Sequence, residues 1–316
     1  MAETIQGCVL AARRGDVVFA SASGVADSYS GESCTPDTRF QLASVSKQFT
    51  AAAVLALVDR HELQLDDPVS RWLSHCPSAW RDMTVHHLLC HGSGLGHWED
   101  YPNIDLYQPL PGGEFIEILG QRSLCCRPGH AFRYSSPGYV LLARIVERVG
   151  ELPYREFLQQ SLFLPLGMDR TFVGTPDVRT DIARGHDGAK LTSSYELDTV
   201  GMGAGDAWST VSDLLRWDEA LRNGDVLSAD SRAAMFHKHI DCGERLPETG
   251  YGYGWCLGPL VDRPARWHDG DNAGFKAMNA WFPGLDLHCA VLSNQEATDV
   301  EAMRKVLEKI LASIPD

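Results

Sequence analysis

Two short apolar runs open the chain. Cys8 to Ala12 and Val17 to Ala20 read as strands, and the polar stretch Arg13 to Asp16, with Gly15, reads as the turn of a β-hairpin between them. The period then changes. Phe49 to Val58 is rich in Ala and Leu and free of Gly and Pro, which predicts a buried helix whose N-terminal turn carries Ser44, Val45, Ser46 and Lys47. From Val69 to about Leu166 the pattern is helical between loops. Val85 to Cys90 stops at Gly92, Pro137 to Val149 is closed by Gly150, and Tyr154 to Leu162 is stopped by Pro165. Asp213 to Leu221, followed by Gly224, reads as a further helix. Strand-like sequence returns at Ala277 to Phe282 and His288 to Leu292, around a turn at Pro283 to Asp286, and Thr298 to Ile314 is an amphipathic closing helix.

Strands at both ends with helices between them predict an α+β fold. One antiparallel sheet is built from both termini and flanked by helices, and a mostly helical lobe is inserted in the middle. The expected division is 1–70 with 200–316 for the sheet lobe and 71–199 for the helical lobe. A small-molecule site belongs in the cleft between them.

Composition narrows the function. The 316 residues are 44% hydrophobic and 22% charged, ordinary for a folded chain. A net charge of −14 without a basic stripe argues against nucleic acid and anionic membranes as partners. The longest strongly apolar run, Phe49 to Val58, is too short to span a bilayer, and Met-Ala-Glu-Thr at the N-terminus has an acid where a leader is basic. The nine cysteines form no C-x-x-C pair. These features predict a cytoplasmic protein with reduced thiols that acts on a small molecule. They say nothing of its oligomeric state.

Three places carry candidate chemistry. Ser44-x-x-Lys47 puts a hydroxyl and an amine nearly one turn apart on the same helical face, where a desolvated lysine favours alkoxide formation. The same pattern fits an N-cap serine beside a surface lysine, and a chain of this length holds about one such match by chance. Tyr134-Ser135-Ser136 precedes a helix, and a tyrosine near an ammonium group is expected to have a lowered pKa and to act as a base, though a core tyrosine is the commoner case. His268-Asp269-Gly270 precedes the last hairpin. A glycine at a strand end there lets the backbone approach a ligand, and its neighbouring N–H suits an oxyanion, unless this is a surface turn.

The order and spacing of these segments resemble the serine β-lactamase-like hydrolases related to class C β-lactamases, D-alanyl-D-alanine carboxypeptidases, D-aminopeptidases and certain esterases. The resemblance runs from about Thr4 to Leu311. It rests on Phe40-Gln-Leu-Ala-Ser-Val-Ser-Lys47, Thr84-Val-His-His-Leu-Leu-Cys-His-Gly-Ser-Gly-Leu95, Phe132-Arg-Tyr-Ser-Ser-Pro-Gly-Tyr139, Leu164-Pro-Leu-Gly-Met168, Trp208-Ser-Thr-Val-Ser-Asp-Leu214, Tyr251-Gly-Tyr-Gly-Trp255 and His268-Asp-Gly270. It implies that Ser44 is acylated, that Tyr134 is the base with Lys47 holding it reactive, and that the backbone N–H groups of Ser44 and Asp271 form the oxyanion hole. Two departures bear on the substrate. Ser136 stands where the family usually has Asn, and His268 where β-lactamases and carboxypeptidases have Lys. Both favour an ester or another small acyl substrate over a penicillin.

The expected activity is therefore an esterase or amidase acting through an acyl-enzyme on Ser44. Alternatives are an acyltransferase using the same intermediate, a β-lactamase or D-peptidase, and a non-catalytic binder on the same fold. His86, His87, Cys90 and His91 have metal-ligand spacing, but the Glu of a metalloprotease motif is absent and no metal is expected. No Gly-rich loop follows a strand, so no nucleotide cofactor is expected either.

Overall fold

In the computed structural model, which describes residues 5–176 and 181–314, Gly7–Arg13 (β1) and Asp16–Ser23 (β2) form the expected hairpin. It turns at Arg14 and Gly15, both at positive φ. Met1 to Thr4, whose acidic character entered the reading of the leader, lie outside the described residues.

The rest of the sheet comes from the C-terminal third: Ile240–Asp241 (β3), Gly250–Tyr251 (β4), Cys256–Leu260 (β5), Arg263–Asn272 (β6), Phe275–Phe282 (β7) and Leu287–Ser293 (β8). Among the described residues these strands make one antiparallel sheet in the order β3-β4-β5-β6-β7-β8-β1-β2. The first hairpin thus docks on the last strand, with Gly7 opposite Ser293 and Arg13 opposite Leu287. This is the α+β architecture that the hydrophobic pattern predicted.

Period-two alternation sends the residues of β1 to two cores. Cys8, Leu10 and Ala12 join Ala290 and Leu292 in the larger core, against Phe49 and Leu57 of Lys47–Asp59 (α1) and Trp217 and Leu221 of Val211–Asn223 (α6). Val9 and Ala11 join Met278, Ala280 and Val291 on the other face, covered by Met303, Leu307 and Ile310 of Val300–Ser313 (α8). That 3–4 spacing is one helical stripe. The central strand β8 is buried along its whole length.

The remaining helices are Val85–Leu89 (α2), Gly112–Gly120 (α3), Ser136–Gly150 (α4), Tyr154–Leu158 (α5) and Ala229–Met235 (α7). α5 runs on as a π-helical turn at Gln159–Phe163. Gly150 is the last residue of α4 rather than its stop, and Glu151 takes the left-handed position that ends the helix. Gly150 lacks a side chain for a different reason: the Phe157 ring packs where its Cβ would be. Among the described residues no helix is long and apolar enough to cross a membrane.

Candidate active site

Ser44 lies on a 3-10 turn, Ala43–Ser46, that runs directly into α1. The α-helix proper begins at Lys47, so the serine sits just before the helix rather than in its first turn. Ala43 holds a left-handed φ of 48°, an uncommon conformation for a residue with a side chain. What fixes the turn is β6. Strand β5 stops with Cys256 opposite Trp267, so His268 to Asn272 pair with β7 alone, and the serine turn packs against this stretch. A Cβ on Gly270 would overlap the Leu42 carbonyl oxygen and meet Ala43 Cβ at 3.1 Å. Gly270 is thus inside a strand, not at its end, and its close approach is to the backbone that carries Ser44.

The hairpin β6–β7 turns in two residues, with Asn272 opposite Phe275. In that arrangement the closing pair is hydrogen-bonded, so Asp271, one residue back, points its N–H away from β7 toward the side that β5 leaves open. Ser44 and Asp271 both line two adjoining cavities. One, of about 330 Å³, is walled by Trp98, Leu106, Ser136, Tyr195 and Asn272. The other, of about 410 Å³, is walled by Phe132, Tyr134, Arg245, His268 and Asp269. Ser44 stands where the two meet.

Lys47 is fully buried, and its amine reaches three oxygens: Ser44 Oγ at 3.0 Å, Ser136 Oγ at 3.1 Å and the Ala204 carbonyl at 2.7 Å. Burial pushes its pKa down to about 7, against the pull of Asp269 and Asp206, and Arg245 adds to the fall. An amine in that range is part neutral at physiological pH and able to take a proton. Tyr134 behaves differently from the sequence expectation. The Lys47 amine lies 5.1 Å from its ring centroid, yet burial outweighs any such help and pushes the phenol well above its usual range, opposed only in part by a hydrogen bond with Ser44 and by Arg245. The tyrosine is a neutral phenol here.

Ser136 begins α4, and its N–H donates to His97 Nδ1 at 3.1 Å; the N–H of Ser135 donates to His91 Nδ1 at the same distance. The Ser135 hydroxyl caps the helix through Gly138 N–H and donates to the Gly96 carbonyl. The second motif is therefore tied to the 91–97 loop by histidines that must stay neutral. Burial and the nearby Lys47 push His97 down to about 3 and His91 well below its ordinary value. His268 is committed likewise. Its Nδ1 faces the Asp269 carbonyl at 2.6 Å, an acceptor only, so Nδ1 carries the hydrogen and Nε2 accepts from the Tyr251 hydroxyl at 2.9 Å. Burial pushes it down to about 4. It lines the cavity, but neither ring nitrogen is left for a substrate.

Ser44, Lys47, Tyr134, Ser136, His268, Gly270 and Asp271 thus come together from three separate stretches of chain. His86, His87, Cys90 and His91 do not converge: among the described residues no group of His, Cys, Asp or Glu is arranged to hold a metal ion. His86 is engaged with Tyr253 and His87 with Thr84. Sequence reasoning missed His97, Arg245 and Asp206. His97 closes the Gly92-Ser-Gly-Leu-Gly96 loop next to the recognised helix, and Asp206 is a lone acid among small residues at Gly203-Ala-Gly-Asp-Ala207; both are usable signals. Arg245 has none, since it arrives from a polar loop and lies with Cζ 4.7 Å from the Tyr134 ring centroid.

The chain is similar along nearly its whole length to known proteins. The family profile for Beta-lactamase matches residues 2–312. Penicillin-binding protein 4* of Bacillus subtilis (strain 168) is 31% identical over 98% of this chain and 73% of its own length. Esterase EstB of Burkholderia gladioli is 31% identical over 90% of this chain and 83% of its own. The crystal structure of D-amino acid amidase from Ochrobactrum anthropi SV3 complexed with L-phenylalanine superposes with a TM-score of 0.83 at 26% identity, covering 98% of this chain and 94% of that one. With that family match and those relatives, the chain belongs to the Beta-lactamase family, as a serine-hydrolase enzyme with penicillin-binding-protein, esterase and amidase kin.

Proposed function

We propose that this protein hydrolyses a small ester or amide through an acyl-enzyme on Ser44. The observation that carries the reading is the 3.0 Å hydrogen bond between Ser44 Oγ and a fully buried Lys47 amine, at the junction of two cavities. In this reading Lys47, as the neutral amine, takes the Ser44 proton while Oγ attacks the carbonyl carbon. The oxyanion forms against the N–H groups of Ser44 and Asp271. The protonated lysine, with the Tyr134 phenol alongside, returns the proton to the leaving group as its bond to carbon breaks. Water then enters by the same steps in reverse. The roles of Lys47 and Tyr134 are exchanged relative to the sequence expectation, because burial lowers the amine and raises the phenol. Ser136 orients Lys47, and His268 braces β6 through Tyr251.

The substrate class rests on size and on the missing amide. Cavities of about 330 and 410 Å³ suit small groups on either side of the reacting carbon. Ser136 Oγ accepts from Lys47, and the residue offers no side-chain amide to a peptide or lactam. The two-lobe division at 1–70 with 200–316 and 71–199, with the cleft between, is part of the same proposal. So is action in the cytoplasm.

The test is a panel of activated esters, a chromogenic cephalosporin and a D-amino-acid anilide, followed by intact mass. Ester turnover with an adduct on Ser44 supports the reading. Rapid cephalosporin turnover would make the protein a lactamase instead, and diversion of the acyl group to an added alcohol or amine in preference to water would make it an acyltransferase.

A further inference from the structure

Asp206 is 1% exposed, and neither carboxylate oxygen meets a donor in good hydrogen-bond geometry among the described residues. A buried carboxyl left in that state is costly, so it is either neutral or working against a nearby positive charge. Its place is set by a strap, residues 203–207, laid along the serine turn and α1. The Gly203 carbonyl accepts from Thr50 at 2.6 Å, the Ala204 carbonyl from the Lys47 amine at 2.7 Å and the Gly205 carbonyl from Asn272 at 3.0 Å. The Ala207 N–H donates to Ser46 Oγ at 2.9 Å, and its carbonyl accepts from Leu42 N–H at 2.8 Å. The Asp206 carbonyl is held too, by the Gly174 N–H at 3.0 Å, so the backbone of the whole strap is committed and only the Asp206 carboxyl is left over.

We propose that Asp206 is a positioning residue for the proton chemistry at Ser44: its carboxyl, carried on the strap whose Ala204 carbonyl binds the Lys47 amine, sets whether the lysine is an ammonium or an amine. The inference rests on the reading of Lys47 as the group that takes the Ser44 proton. Ionised, Asp206 holds a proton on Lys47; neutral, it lets the amine form. Burial pushes the carboxyl up to about 7, offset in part by the N–H groups of Gly203 and Asp206 itself, so both groups change charge over the same interval. Asp206 also lines a third cavity, of about 250 Å³, with Glu147, Tyr154, Arg155, Glu156 and Asp198, none of which touches Ser44. The other groups that act on the pair are Asp269 and Arg245 toward Lys47, Asp198 toward Asp206, and Tyr154, which feels Asp206 while its hydroxyl bonds Thr50 at 2.7 Å. His91, His97 and His268 also face the lysine.

The experiment follows the Lys47 Cε chemical shift against pH in protein carrying 13C-labelled lysine, with the signal assigned by its loss in Lys47→Arg. In the wild type the titration should spread over two coupled steps. In Asp206→Asn it should become a single step with a midpoint about one pH unit lower, a tenfold drop in proton affinity. Asp206→Glu, which keeps the carboxyl, should move the midpoint back toward wild type. Should the Asn variant not fold, Asp206→Ser is read in its place. A Lys47 curve unchanged by loss of the carboxyl would overturn the proposal. The rate of Ser44 labelling by an activated ester is measured on the same samples. A Lys47 curve that shifts while Ser44 never labels would leave Asp206 in its role and sink the acyl-enzyme reading instead.

Discussion

Replacing Gly270 by Ala tests the claim that β6 holds the nucleophile's turn in place. The new Cβ would stand 3.1 Å from Ala43 Cβ and overlap the Leu42 carbonyl oxygen. β6 cannot retreat, because it is paired to β7 from Arg266 to Asn272. The serine turn must therefore move, by about 1 Å to restore an ordinary contact. Overpacking of this kind costs about 1–3 kcal/mol of stability, and a 1 Å displacement of a reacting group costs about 10²-fold in rate. The assay pairs the rate of Ser44 acylation by an activated ester with a thermal melt. Gly284→Ala is the control, since nothing lies within 4 Å of a Cβ there. A Gly270→Ala protein that acylates at the wild-type rate with an unchanged melt would refute the argument that strand and turn are locked together.

Ser44→Ala should fold normally, with a melt near wild type, and give no covalent adduct by intact mass with any substrate. Lys47→Met keeps the length of the buried side chain but removes the proton acceptor, so acylation should fall by about 10²–10⁴-fold, read by stopped-flow release of nitrophenol. Activity should decline as pH falls through about 7, because the neutral amine is the competent form and protonation removes it; a rate profile from pH 5 to 9 checks this. Acid should also destabilise the fold. His268 and His288 are buried and pushed down to about 4 and about 3, so the folded state binds fewer protons than the unfolded state below the ordinary value of about 6.5. Stability should therefore drop as pH falls through that window, by about 2 kcal/mol per histidine at pH 5, and level off only below the folded values. Urea melts at pH 7 and pH 5 measure the difference, and His288→Asn should reduce it.

Much of this was legible because it rests on local patterns. The opening hairpin declares itself by two short apolar runs on either side of the polar turn at Gly15, and α1 by a stretch in which nearly every position is small or aliphatic. Strand β6 was harder. Pro264, Arg266, Asp269 and Asp271 interrupt its alternation, and it is held as a strand by β7 rather than by its own preference. α3 was missed because glycines occupy both its ends, and its helical state comes from Phe115, Ile116 and Leu119 packing into the larger core. The site was read from motif spacing, which gives the order of residues but not their environment. Burial pushes Lys47 down and Tyr134 up, and burial is a property of the assembled fold. Arg245 enters the picture only when segments far apart in sequence are brought together.

The docking of β1 on β8 has a consequence for biogenesis. Cys8 lies opposite Leu292, so the hairpin must wait for a partner strand that is made long after it in the same chain. Closing so long a stretch of chain is slow, since contacts distant in sequence repay their entropy late. While it waits, the hairpin presents Val17, Val18 and Phe19, which remain exposed on β2 even in the finished protein. Production of this protein should therefore be limited by the fate of its nascent chain, with yields that respond to translation speed and to chaperone supply more than to the stability of the completed fold.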